Sequence, residues 1–231
     1  SMGSWYVYIC IMGIGYSFCS DGTCHICADF RPSYTKLSYF KSSFPTVPIL
    51  ALTATATARV QHDVVAQLGL QSCLLFRSSF NRPNLRYEVR KKPKGAKAVE
   101  EMGEMLLSKF SSRLGSKRRL QCGIIYCATT KKCEDVAENL ESYLEEKLGR
   151  GNGTRRVKHY HGKLSSEERE QVQNEWTNGD VPIIVATLAF GMGINKADVR
   201  FVIHFCVPKS LEGYLQESGR AGRDGLTAYC I

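Results

Sequence analysis

Ten residues near the C-terminus, Gln216-Glu-Ser-Gly-Arg-Ala-Gly-Arg-Asp-Gly225, carry the densest chemistry in this chain. Arg220 and Arg223 stand three positions apart, so on a helical turn they share one face. A guanidinium offers a planar fork that matches phosphate oxygens in pairs, and it stays charged at any relevant pH. Gly219, Gly222 and Gly225 let a backbone come close to whatever the arginines hold. An amphipathic segment, Lys209 to Leu215, leads into the run, and Gln216 opens it. The chemistry on offer is contact with phosphate. Taken bare, two arginines near glycines also fit a solvated face.

Three further groups have types and spacing worth weighing. Leu52-Thr-Ala-Thr-Ala-Thr57 closes a strand with hydroxyls at alternate positions, Thr53, Thr55 and Thr57, although Thr-rich strand ends mostly serve as caps and turns. Ser79 to Leu85 sets Asn81, Arg82 and Asn84 around Pro83, a turn suited to a phosphate-contacting hinge. Ala186-Thr-Leu-Ala-Phe-Gly-Met-Gly-Ile-Asn-Lys196 follows a strand directly. There Thr187 can donate a hydroxyl hydrogen bond, Gly191 and Gly193 expose N–H groups, and Asn195 and Lys196 add polar reach. A lone histidine such as His161 in Tyr160-His-Gly162 is more often a hydrogen-bonded structural residue than a catalyst.

The elements that must position these residues alternate from about residue 85 onward. Leu85 to Arg90, Gly123 to Cys127, Val157 to Tyr160, Pro182 to Ala186 and Arg200 to Phe205 read as strands. Ala96 to Phe110, Lys131 to Leu148 and Ser165 to Trp176 read as helices, the last opened by a capping box of Ser165 and Glu168. Ser111 to Arg119 reads as a basic, Ser-rich linker and Gly149 to Thr154 as a loop. This alternation predicts an α/β fold, a parallel sheet with helices on both faces, with the motifs beyond the carboxyl ends of the strands. Before residue 85, Val47 to Leu52 reads as a buried strand, Ala58 to Leu68 as a helix and Cys73 to Phe76 as another strand.

Bulk properties narrow the partners. A net charge of +9 and a sequence pI near 9.1 suit a phosphate-rich partner, although many soluble proteins are mildly basic. Ten cysteines in 231 residues are not a secreted scaffold, because a chain this long needs no staples. Cys73, Cys122, Cys127, Cys206 and Cys230 sit in apolar, strand-like contexts, which favours buried thiols and a reducing, intracellular setting. The apolar run Trp5 to Cys19 is too short to cross a bilayer comfortably and has no basic lead, so no membrane association is expected. Cys24 and Cys27, near Cys19 and His25, lack a second ligand pair, so no metal is expected.

Taken in order, Leu-Thr-Ala-Thr-Ala-Thr, Ser-Phe-Asn-Arg-Pro-Asn-Leu, Ile-Ile-Tyr-Cys, Tyr-His-Gly, the run from Ala186 to Lys196 and the run from Gln216 to Gly225 resemble the RecQ family of superfamily 2 DNA helicases over residues 29 to 231. The resemblance implies an ATP-driven, 3′-to-5′ DNA-unwinding motor with two RecA-like lobes. On it, residues 1–28 are atypical, 29–84 are a remnant of the first lobe, and 85–231 are the C-terminal lobe. Arg223 is then implied as arginine finger, with Arg220 beside it and Gln216 setting the loop. Asn195, with Gly191 and Gly193, would face the nucleotide; Asn81, Arg82, Thr129, Lys131 and Thr187 would touch the DNA backbone. Thr53, Thr55 and Thr57 would couple the two. ATP and Mg2+ are the implied cofactors of the complete enzyme, single-stranded and forked DNA its partners, and the nucleus its place in a eukaryote.

The chain also departs from that pattern in its motifs, and it stops before the cysteine-rich zinc module and winged helix common in longer members. It contains no Gly-x-x-x-x-Gly-Lys-Ser/Thr and no Asp-Glu-Ala-His, so the phosphate cradle and the acids that hold magnesium and activate water are not among its residues. It is therefore expected to bind no cofactor tightly and to be inactive without a complete first lobe. A non-catalytic DNA-binding module derived from a helicase lobe is the alternative reading. An RNA helicase lobe of the DEAD-box kind is a third, which the Phe-Gly-Met-Gly-Ile-Asn-Lys run disfavours.

Overall fold

A computed structural model describes residues 7–10, 36–52, 58–70, 72–76, 81–114, 117–149, 155–191 and 194–231. The chain divides into two compact units, one of Ser1–Asn81 with Ser210–Gln216, the other of Arg82–Lys209 with Glu217–Ile231.

In the first unit β1 (Val7–Cys10) pairs in parallel with β2 (Ile49–Leu52), Val7 opposite Ile49. Two helices, α1 (Ser38–Ser43) and α2 (Ala58–Gln67), accompany them. The strand expected over Cys73 to Phe76 does not form. Leu74, Leu75 and Phe76 are 83%, 58% and 86% exposed, and Cys73 is exposed as well. Their apolar character would direct burial only against a neighbour, and the described residues supply none. Thr53, Thr55 and Thr57, and the Cys24 and Cys27 pair, lie outside the described residues.

The second unit is built on a six-stranded, all-parallel sheet. Its strands are β3 (Leu85–Tyr87), β6 (Gly123–Tyr126), β7 (Val157–Tyr160), β8 (Ile183–Ala186), β9 (Phe201–His204) and β10 (Ala228–Cys230), in the spatial order β3-β10-β9-β6-β8-β7. Every residue of the central strands β6 and β8 is buried, as unbroken apolar runs require in a sheet covered on both faces. Alternation sends Ile125, Ile183, Val185, Phe201 and Ile203 to one face, where α3 (Lys97–Lys109) and α4 (Thr130–Leu148) cover them. Ile124, Tyr126, Ile184, Ala186 and Val202 go to the other, against Trp176 of α5 (Ser166–Asn178), Phe190, Ile194 and Ala221. Fully burying one such Ile or Phe is worth about 1.5–3 kcal/mol, so the two covered faces dominate the stability of this unit.

Local signals set the helix ends. Thr129 caps α4 by accepting from the Lys132 amide at 3.2 Å. The buried stripe Cys133, Val136, Ala137, Leu140, Glu141 and Leu144 follows helical spacing. Glu141 is buried yet satisfied, because its carboxylate accepts from the amides of Arg156 and Val157, which pins α4 to the start of β7. The capping box of α5 is present in both directions, Glu168 N to Ser165 Oγ at 3.1 Å and Ser165 N to Glu168 Oε2 at 2.8 Å.

The segment read as a linker is a hairpin instead: β4 (Ser111–Leu114) pairs antiparallel with β5 (Lys117–Leu120). Phe110 and Leu120 are buried at its root, and Gln121 N donates to Phe110 O at 2.8 Å. Two apolar anchors therefore close what its polar composition disguised. Among the described residues no helix is long and apolar enough to cross a membrane.

Candidate functional site

β8 delivers the chain into a loop that crosses one face of the sheet. The loop opens with a turn, Phe190 N to Thr187 O at 3.0 Å, which drives the Phe190 ring between Tyr160 and Trp176 at centroid distances of 4.7 and 5.2 Å. Tyr126 at the end of β6 donates its hydroxyl to Phe190 O at 2.9 Å. The polypeptide of Gly191 is thereby fixed, buried and facing Arg220, which donates from Nη1 to Gly191 O. A Cβ at Gly191 would stand 2.5 Å from Arg220 Nη2, so a side chain there would push the guanidinium aside.

α6 (Leu211–Ser218) ends just before the paired arginines, and a succession of turns carries them. The expected shared helical face does not arise, since Arg220 and Arg223 follow the last helical residue. They converge by another route. Arg223 Nη1 donates to Ile194 O at 2.9 Å and to Asn195 Oδ1 at 3.3 Å, while Arg220 reaches Gly191 three residues earlier in the same loop. The loop after β8 and the arginine turn are thus bound to each other at two points. Gly193 lies outside the described residues. Gln216 is half-buried within α6.

The arginine turn is held at its other side by residues read as DNA contacts or hinge. Arg82 is turned inward: its Nη1 donates to Gly219 O at 2.9 Å and its Nη2 to Gly222 O. Asn84 Nδ2 donates to Gly222 O at 2.8 Å and to Leu226 O at 2.9 Å. Gly222 has φ +55, and a Cβ there would meet Asn84 Nδ2 at 2.6 Å and Leu226 O at 2.8 Å. Both terminal nitrogens of the Arg82 fork, a residue expected on the DNA backbone, bind carbonyls of this chain. Sequence could not foresee this, because the partners lie 137 and 140 residues away.

Placement relative to the strands also differs from expectation. Thr129, His161 and Thr187 do follow the carboxyl ends of β6, β7 and β8. The arginine turn descends the sheet face instead. Gly222 N donates to Val199 O at 2.9 Å, and Asp224 binds Arg200 with both oxygens at 2.7 Å, beside the amino ends of β9 and β3. Arg200, together with the Leu226 amide, holds the Asp224 carboxyl below the usual carboxylate range.

Electrostatics single out Arg223. Burial acts first against its charge, then the like charges of Arg220 and Arg82. Among the described residues, neither Arg220 nor Arg223 has a carboxylate partner, and Arg220 Nε is buried without an acceptor. Nearby, Glu217 Oε2 lies 2.6 Å from His204 Nε2, both side chains at least nine-tenths buried, and the His204 ring stacks on Tyr126 at 5.5 Å. Burial pushes the Tyr126 hydroxyl up to about 12, so at neutral pH it remains a donor to Phe190. Tyr126, His204 and Glu217 thus join the ends of β6 and β9 to the arginine turn. Tyr126 and His204 are signalled in the sequence only as polar groups ending apolar strands, whereas Glu217 lies within the Gln216–Gly225 run.

The remaining positions are simpler. Thr129 and Lys131 are exposed at the start of α4, Thr187 is half-buried, and Asn81 and Asn195 are exposed. His161 is buried with Nε2 2.9 Å from Glu134 Oε1, and its ring stacks on His159 at 5.2 Å. Lys196 donates to Thr177 O at 2.9 Å and pairs with Asp198 at 3.1 Å, which ties the loop to the end of α5.

The family profile for the helicase conserved C-terminal domain matches residues 102–225. The chain is 46% identical over 203 residues to ATP-dependent DNA helicase Q-like 4B of Arabidopsis thaliana, covering 88% of this chain and 16% of that protein. It is 44% identical over 226 residues to putative ATP-dependent DNA helicase Q1 of Caenorhabditis briggsae, with 95% and 34% covered. Against ATP-dependent helicase SGS1 of Saccharomyces cerevisiae the identity is 43%, with 88% and 13% covered. The chain therefore spans about a third or less of these relatives. Among solved structures, Mycobacterium smegmatis helicase Lhr bound to ssDNA and AMP-PNP aligns with a TM-score of 0.63 at 22% identity, over 86% of this chain and 25% of that one. Dbp5 of S. cerevisiae aligns at 0.61 and 18%, over 88% and 48%, and both likenesses speak to the fold, that of a RecA-like helicase lobe. On the family match and the identities together, this chain belongs to the RecQ family of ATP-dependent DNA helicases and carries their helicase conserved C-terminal domain.

Proposed function

We propose that this chain is the second motor lobe of an ATP-dependent 3′-to-5′ DNA helicase, acting in DNA repair, recombination and replication in the nucleus, and that Arg223 is its arginine finger. One observation carries the reading: three guanidiniums, Arg82, Arg220 and Arg223, are drawn together against their own repulsion, and neither Arg220 nor Arg223 has a carboxylate partner among the described residues. Such crowding is costly until an anion arrives, and a nucleotide phosphate held by a first lobe is that anion. Asn195, already 3.3 Å from Arg223, would lie beside the nucleotide, while Arg220 and Gly191 hold the loop in register.

Hydrolysis builds negative charge on the transferring γ-phosphoryl, and a preorganised guanidinium lowers that barrier with little effect on nucleotide binding. Arg82 and Asn84 stiffen the turn so that Arg223 needs no reorganisation. Magnesium would arrive with the nucleotide, on ligands outside this lobe. Thr129, Lys131 and Thr187 would meet the backbone of single-stranded or forked DNA, indifferent to sequence and sensitive to salt. The 231 residues hold no phosphate-cradle motif, so the isolated chain should not turn over ATP.

The test supplies a complete first lobe and compares Arg223→Ala with the unchanged protein. Turnover should fall by about 10³-fold or more while nucleotide affinity changes little. Equal losses in affinity and turnover would refute the finger role. DNA-stimulated hydrolysis by the isolated chain would refute the division of labour.

A further inference from the structure

The β4–β5 hairpin has no part in the reading above. Its stretch from Ser111 to Leu120 contains Arg113, Lys117, Arg118 and Arg119, and no Asp or Glu occurs anywhere between Glu104 and Glu134. The register sets Arg113 opposite Arg118, Ser112 opposite Arg119 and Leu114 opposite Lys117. Like charges directly opposed across a strand pair destabilise it, and a free two-stranded ribbon has little stability to lose. Edge cations that merely discourage aggregation need no such opposed pair.

The ribbon is nevertheless rooted firmly. Phe110 and Leu120 are 1% and 6% exposed, the Phe110 ring lies 4.7 Å from that of Phe201, and Ser111 Oγ donates to Leu107 O at 2.5 Å. Arg118 and Arg119 are exposed. A rooted ribbon with exposed cations at Arg118 and Arg119, in a stretch free of acidic residues, is suited to a polyanion. The ribbon feeds the amino end of β6, whereas Thr129 and Thr187 follow the carboxyl ends of β6 and β8. It therefore stands at the opposite pole of the sheet from those positions.

We propose that the β4–β5 ribbon is a second DNA contact of this lobe, gripping the phosphodiester backbone without reading sequence. The inference rests on the DNA-handling reading above, and the experiment separates the two. Binding of the 231-residue chain to labelled single-stranded DNA is measured across a salt series, beside the triple variant Arg113→Gln, Arg118→Gln, Arg119→Gln. If three phosphate contacts are removed, the slope of log affinity against log salt flattens by about 2, at ~0.7 per contact. The charge-preserving variant Arg118→Lys with Arg119→Lys should keep the original slope, and circular dichroism should be the same for all three proteins. An unchanged slope in the triple variant overturns the ribbon contact alone. Absence of salt-sensitive DNA binding in the unchanged chain overturns both the ribbon and the DNA-handling reading.

Discussion

Replacing Arg82 with alanine separates two roles that the same residue type could fill. Its guanidinium donates to Gly219 O and Gly222 O, and bonds of this charged kind are each worth about 1.5–3 kcal/mol when partly buried. Gly222 O keeps the bond from Asn84 Nδ2 at 2.8 Å, so only Gly219 O loses its partner outright. Removing a like charge beside Arg223 works in the opposite direction. The net loss is therefore about 2 kcal/mol, near the lower end of the range for one or two such bonds. Urea unfolding followed through Trp176, fully buried in the same unit, reads it directly. In the same variant, under conditions where it is folded, the salt slope of DNA binding should be unchanged. Arg82→Lys should recover only part of the stability, because a point charge cannot span two carbonyls as a fork does. An Arg82→Ala variant that keeps its stability and flattens the salt slope by ~0.7, the mark of a lost phosphate contact, would refute the structural role of Arg82.

Other outcomes are expected from the same contacts. Gly222→Ala should cost more than the ~1–2 kcal/mol of a left-handed residue, because Leu226 O at 2.8 Å must also shift; a urea midpoint equal to that of the unchanged chain would count against the turn. Asp224 has a folded pKa below its unfolded value, so its stabilisation is present above about pH 4 and is lost as pH falls through the folded pKa. Asp224→Asn should accordingly flatten the acid limb of stability against pH, and an identical limb in both proteins would exclude the Arg200 pair as its source. Cys73 is exposed, whereas burial pushes Cys122 and Cys230 up to about 12. Of these three, thiol labelling mapped by mass spectrometry should mark Cys73 before Cys122 and Cys230.

The sheet was legible because its central strands are unbroken apolar runs, and Ile183 to Ala186 needs cover on both faces wherever it lies. The capping box at Ser165 was legible because both partners sit within one turn. β10 was not, since three residues hold too little periodicity and its partners, Leu85 and Phe201, are remote in sequence. The hairpin was missed because its anchors flank it while its body is polar. Arg82 is the most instructive case: an arginine beside a proline turn reads as outward-facing, and only tertiary structure aims it at Gly219 and Gly222. The loop and arginine motifs were recognisable as strings; that they clasp each other over the sheet face was not.

Within the six-stranded sheet, β3 occupies an edge and, among the described residues, pairs with β10 alone. A ribosome delivers β3 at residue 85 and β10 only from residue 228, after every other strand of the sheet has emerged. For that whole interval Leu85 to Tyr87 has no strand to join, and Asn84 and Arg82 have no turn to grasp. The arginine turn and its clasp on Arg82 and Asn84 thus form only after β3, β6, β7, β8 and β9 have emerged, and a chain interrupted before residue 219 has neither.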